Sequence, residues 1–253
     1  MSSRYGRGRI RVAKYVPGKP VPKTRGFKNV LIHTSPSVLG GDLSPYVLRD
    51  EDGHLIENIW QFSKIYHRVS AQRTPLGKFH MDTIVWEHAA EQHIGKGKKV
   101  LPAYWKWRRK GFANKYAVRY PAGFFSRRSA VASLWMVNGE LKWLSYIEAR
   151  KHIYCKEYAR LAPRTNHFRA LSVLLDKGIN LQIVEVDGPD PALTYWPYTM
   201  ISVHNPGLLI DEAVIKFLLN DPGKSFGHGY TIAALLLGRP DWLEPDNAED
   251  DKE

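Results

Sequence analysis

Apolar residues recur at helical spacing along several stretches of the chain. Ile59, Phe62, Tyr66 and Val69 fall at i, i+3, i+7 and i+10, which predicts an amphipathic helix from 55 to about 73, ended by Pro75 and Gly77. Trp143, Ile147, Tyr154, Tyr158 and Leu161 share one face of a helix predicted over 141–162, stopped by Pro163. Shorter helices are predicted over 82–93, 168–177, 210–219 and 230–237, and 129–137 reads as a short helix more readily than as a strand. Apolar runs over 29–33 and 180–186 predict strands. Residues 101–128 read as irregular and 35–52 as rich in turns. Residues 1–28 have no periodicity and are punctuated by glycine and proline, so they read as a flexible arm. The pattern predicts an α+β fold: one predominantly helical domain over 29–240 with a few short strands, between that arm and an acidic tail over 241–253.

Composition narrows the class. A hydrophobic fraction of 43% in 253 residues can build a core, which excludes wholesale disorder. The longest apolar run, 231–237, is too short to span a bilayer, and the first residues hold no apolar signal segment, so neither membrane nor secretion is expected. Cys155 is the single cysteine, so no internal disulfide can form. Its expected setting is a reducing, cytoplasmic compartment, and its expected role is buried filler rather than a nucleophile.

The net charge of +12 is unevenly spread. Residues 1–41 contain no acid, while the last thirteen set seven acids against Lys252. A second acid-free block, 92–139, holds Lys106, Arg108, Arg109, Arg119, Arg127 and Arg128 among other cations, interleaved with Tyr104, Trp105, Trp107, Phe112 and Tyr116. Cations neutralise phosphates and aromatic faces stack on bases, so the block suits a nucleic-acid partner; a solvated basic face over an aromatic core has the same composition.

Metal and phosphate motifs fail on inspection. His88 and His93 are wrongly spaced for one helical face, and Leu218 stands where a P-loop ending in Gly223-Lys224-Ser225 needs its first glycine. No metal or cofactor is expected. Gly227-His228-Gly229 precedes a predicted helix and suits either a backbone that approaches a phosphate or a plain turn.

One constellation remains. On a helix, Glu57, Gln61 and Lys64 fall within an arc of about 60°, opposite the apolar stripe. The same spacing describes an ordinary solvated polar face. The segment Asp52-Gly53 followed by Glu57-Asn58-Ile59-Trp60-Gln61-Phe62-Ser63-Lys64 resembles the opening motif of the NADAR superfamily, the YbiA-like N-glycosidases. Leu43-Ser44-Pro45-Tyr46 resembles its Leu-Ser-Asn-Phe turn, Ile183-Val184-Glu185 its Leu-Val-Glu strand, and Phe226-Gly227-His228-Gly229 its Trp-Gly-x-Gly loop. Pro45, Asn58 and Phe226 depart from the family's Asn, His and Trp, the Glu185–Gly227 separation implies an insertion, and the middle of the chain has no counterpart.

The resemblance implies a NADAR-like fold and cleavage of an N-glycosidic bond at an ADP-ribosylated or otherwise ribosyl-modified nucleobase. A neutral Lys64 amine would attack the anomeric carbon, and Glu57 would act as acid and base. Burial and neighbouring cations would lower the Lys64 pKa, and Glu57 would raise it. Gln61, Trp60, Ser44, Glu185, Asp187, Gly227, His228 and Gly229 are the expected substrate contacts. Two alternatives stay open: a nucleobase-modifying or ribosyl-transferring enzyme acting on DNA, and a non-catalytic nucleic-acid-binding protein.

Overall fold

The computed structural model describes residues 6–32, 41–67, 91–123, 128–190, 206–224 and 226–244. In chain order its elements are β1 (Ile10–Lys14), β2 (Lys28–Leu31), α1 (Ile56–Phe62), β3 (Lys64–Tyr66), α2 (Pro102–Phe112), β4 (Ala130–Val137) and β5 (Glu140–Leu144). They continue with α3 (Tyr146–Ala149), a π-helical turn (Arg150–Cys155), α4 (Lys156–Leu161), α5 (Asn166–Asp176), β6 (Leu181–Glu185), β7 (Gly207–Leu209), α6 (Glu212–Asn220) and α7 (His228–Leu236). The mixture of helices and strands is the expected α+β class. No described helix is long and apolar enough to cross a membrane.

The chain divides into two compact units rather than the single domain expected over 29–240: residues 1–48 with 155–253, and residues 49–154. In the first, a four-stranded sheet runs in the order β2-β6-β1-β7, with β6 parallel to both its neighbours and β7 antiparallel to β1. All five residues of β6 are buried, as a central parallel strand covered on both faces requires. Helix α7 is buried at eight of its nine positions and packs on β1 and β6. Cys155 is a buried thiol, as expected.

The arm expected over 1–28 is corrected over its described part. Ile10, Val12 and Ala13 are buried, and β1 is an inner strand of this sheet. The basic residues between them obscured the alternation that marks a strand. They also have partners within the unit. Arg7 pairs with Asp176 at 3.1 Å, Arg11 donates to the Gly207 carbonyl at 2.9 Å and Lys14 to Asp190 at 2.6 Å. The following loop is tied down by the Gln182 side chain, which bonds Thr24, the Pro22 carbonyl and Asn29.

In the second unit a three-stranded antiparallel sheet, β3-β4-β5, packs with α1 and α2 around Phe62, Ile65, Tyr66, Tyr104, Trp107 and Leu134. Three expectations are corrected here. The helix predicted over 55–73 ends at Phe62, because Lys64–Tyr66 pairs with β4 and Tyr104 Oη donates to the Ser63 carbonyl at 2.8 Å. Residues 101–128 are not wholly irregular, since Pro102 at the first helical position opens α2. Residues 129–144 form a hairpin, not helix, turned by Asn138 and Gly139 with φ of +52° and +81°. The helix predicted over 82–93 lies outside the described residues up to 90; residues 91–93 are not helical.

Candidate functional site

Glu57, Trp60, Gln61 and Lys64 all lie in the second unit. The first three sit on α1 and Lys64 opens β3, so they do not share a continuous helix. They nevertheless form a hydrogen-bonded chain. Lys64 Nζ donates to Gln61 Oε1 at 2.7 Å, and Gln61 Nε2 donates to Glu57 Oε1 at 2.9 Å. The solvated-face reading fails, because Glu57 and Gln61 are buried, at 6% and 9% exposure, and Lys64 is partly buried. Asn58, where the family resemblance expects His, is fully buried. It donates to the Asn114 and Tyr116 carbonyls and accepts from the Val118 amide, so it braces the segment behind α1.

Burial pulls the Lys64 amine down to about 8, against the opposing charge of Glu57. The neighbouring cations expected to assist are not among the causes. At neutral pH an amine of this pKa is about one-tenth neutral, several hundred times more than an unperturbed lysine. A Lys–Gln–Glu chain of this kind suits a nucleophilic amine with a carboxyl group available for proton transfer.

Sequence reasoning missed the surroundings of Trp60. Lys64 Nζ lies 4.9 Å from the Trp60 ring centre. The same ring meets Tyr154 at 5.4 Å and Tyr146 at 6.0 Å between centroids. Arg150, 1% exposed, places its guanidinium 4.7 Å from the Tyr146 ring centre. Tyr146, Arg150 and Tyr154 recur every four residues along one helical run, a spacing visible in the sequence, but nothing in the sequence ties that run to Trp60.

The remaining expected contacts lie in the first unit. Glu185 ends β6 fully buried, with Oε2 3.0 Å from His228 Nδ1 at the start of α7. Burial, then the charge of nearby Asp187, raises its pKa well above the usual carboxylate value, and the Gly229 amide opposes this by hydrogen bonding. Gly227 and Gly229 are small because Glu185 lies against them. A Cβ on Gly229 would come 2.6 Å from its Oε1, and one on Gly227 would also strike the carboxyl group. The Gly227-His228-Gly229 backbone therefore receives the protein's own carboxyl group. Asp187 is partly buried in the turn after β6. Ser44 is buried, and its Oγ accepts from the Tyr46 amide at 3.3 Å within a turn.

Of the basic residues, Lys106 and Arg109 are exposed on α2, and Arg128 is exposed before β4. Arg108 is a structural residue instead. It donates to the Leu134 carbonyl at 2.7 Å and lies over Phe112, Trp135 and Trp105 at 4.9, 5.1 and 5.7 Å. Arg119 is partly buried, 5.4 Å from the Tyr120 ring centre. Arg127 lies outside the described residues. His93 is a core residue, packed on Tyr104 and Trp107 and lowered by burial to about 4. The ligand atoms of Asp50, Asp52 and His54 lie within 4.8 Å of one another, a grouping the turn itself explains: Asp50 accepts from the Asp52 and His54 amides and meets His54 Nδ1.

Comparisons with protein-family models, curated proteins and solved structures return no match for this chain.

Proposed function

We propose that the chain is a diverged relative of the NADAR superfamily: an N-glycosidase acting on an ADP-ribosylated or otherwise ribosyl-modified nucleobase, with nucleic acid as the carrier. The observation that carries this reading is the Glu57–Gln61–Lys64 chain, withdrawn from water and ending in an amine lowered to about 8. In this mechanism neutral Lys64 attacks the anomeric carbon. The bond from that carbon to the base nitrogen breaks, its electron pair leaves with the base, and Glu57 supplies the proton that the base gains. The new aminium returns one proton to Glu57, and the second passes to the ring oxygen as the bond from that oxygen to the anomeric carbon breaks and the sugar opens to a Schiff base. Water then adds to the imine and restores the amine, so that one water is consumed and one base and one reducing sugar are released. Gln61 holds the amine's direction, accepting at 2.7 Å. The buried Cys155 thiol fits work in a reducing, cytoplasmic compartment.

The test is borohydride reduction during turnover of ADP-ribosylated DNA. Reduction should trap a sugar on Lys64, and Lys64→Ala should lose both adduct and turnover. Full activity in Lys64→Ala sinks the Schiff-base mechanism. The exposed cations Lys106, Arg109 and Lys110 on α2 also favour a second reading, nucleic-acid binding without turnover, in which Lys64→Ala leaves binding and function unchanged.

A further inference from the structure

The aromatic group beside Lys64 has more exposed surface than a packing role needs. Tyr154 is buried, at 8%, but Tyr146 is 49% exposed and Trp60 is partly exposed. An isolated exposed tyrosine is ordinary. This one rests on a buried guanidinium and meets an indole whose ring also receives the Lys64 amine. The support under the ring is built in: Arg150 is 1% exposed within the π-helical turn, and Ser145 caps α3 by a reciprocal pair of bonds with Glu148. A flat, half-exposed aromatic face, held in place and edged by the indole of Trp60, is what a nucleobase requires of a protein: a π surface with a donor at its edge.

We propose that Tyr146, backed by Arg150 and edged by Trp60, is a stacking platform for the nucleobase of an N-ribosyl substrate. The platform and the amine flank one indole, at 6.0 and 4.9 Å from its ring centre, so a sugar presented to Lys64 leaves its base within reach of the phenol. Lys64 covers a face of Trp60, which assigns stacking to Tyr146 and leaves Trp60 the base edge. The inference rests on the N-glycosidase reading for its choice of ligand, a purine or pyrimidine riboside rather than a free sugar phosphate.

Calorimetric titration of the full chain with AMP, GMP and CMP, and with ribose 5-phosphate as the probe lacking a base, tests it. Tyr146→Phe should keep the affinity for each nucleotide, and Tyr146→Ala and Tyr146→Leu should weaken it by about tenfold, the loss of one base–aromatic stack. Ribose 5-phosphate binding should not change in any of these variants. Undiminished nucleotide affinity in Tyr146→Ala or Tyr146→Leu, or no nucleotide binding by the wild type, overturns the platform. Turnover of Lys64→Ala is measured alongside. If that variant stays active while Tyr146→Ala loses nucleotide affinity, the platform stands and the Schiff-base mechanism falls. If Lys64→Ala is inactive and Tyr146→Ala binds normally, the platform alone falls.

Discussion

Glu185 and His228 show how much a single buried proton decides. His228 Nε2 lies 3.3 Å from the Ile32 carbonyl oxygen, which can only accept, so Nε2 carries hydrogen. In the neutral ring Nδ1 is then bare and faces Glu185 Oε2 at 3.0 Å. A bare nitrogen and an ionised carboxylate repel each other, while a protonated carboxyl group can donate to the ring and still face the Gly229 backbone. Burial and the Asp187 charge favour the same protonated form. The folded pKa thus lies above the unfolded one. The stabilisation is fully present below the unfolded value near 4.5 and is lost as pH rises through the folded value. Thermal melts between about pH 5 and 9 should show wild-type stability falling as pH increases. Glu185→Gln, whose amide can donate to Nδ1 and accept from Gly229, should flatten that slope. Identical slopes in the two proteins would mean that Glu185 titrates as an ordinary surface carboxyl group.

The helices and strands met their sequence expectations where local pattern and packing agree. Helix α5 ends before Gly178, β6 is a short apolar run, and α6 and α7 fall where their periodicity puts them, because each is specified within its own residues. The segment 129–162 misled because Trp143 happens to fit the helical stripe of Tyr154, Tyr158 and Leu161. The Asn138-Gly139 pair between two apolar runs was the better signal, a two-residue hairpin turn. The candidate site was legible for a partly mistaken reason. Glu57, Gln61 and Lys64 do meet, but through a chain that leaves the helix at Ser63 and still lets Lys64 reach back three residues to Gln61. Tyr146 and Arg150 were illegible, since tertiary packing alone brings them to Trp60. The packing of α2 on α1 depends on Gly111, where a Cβ would overlap the ring of the fully buried Phe62. Gly111→Ala should therefore cost about 1–3 kcal/mol in chemical denaturation. The cost should shrink in a Phe62→Leu background, because the two sites share one contact; equal costs in both backgrounds would remove Phe62 as the cause.

At the scale of the whole molecule, the +12 charge resolves into two kinds of cation. Arg7, Arg11 and Lys14, which read in the sequence as part of a flexible basic arm, are engaged within the first unit by Asp176, the Gly207 carbonyl and Asp190. Arg108 likewise belongs to the packing of the second unit. The exposed cations of that unit include Lys96, Lys98 and Lys99 in one short turn, Lys106, Arg109 and Lys110 on α2, and Lys115 beside Tyr116, which is 58% exposed. Nucleic-acid affinity that comes from charge neutralisation draws on such residues and on the exposed Arg9, Lys19, Lys23, Arg25 and Lys28 of the first unit, and deleting residues 1–28 is no clean test of it because the deletion also removes β1 from its sheet. The discriminating experiment is the salt dependence of DNA affinity in Lys106→Ala/Arg109→Ala. Each lost phosphate contact should reduce the slope of log K against log salt by about 0.9 on duplex DNA, and the weakening should be the same for unrelated sequences. Arg7→Ala should leave the slope unchanged, since its partner is Asp176. A slope that falls in Arg7→Ala and not in the α2 double variant would move the interface from the second unit to the first.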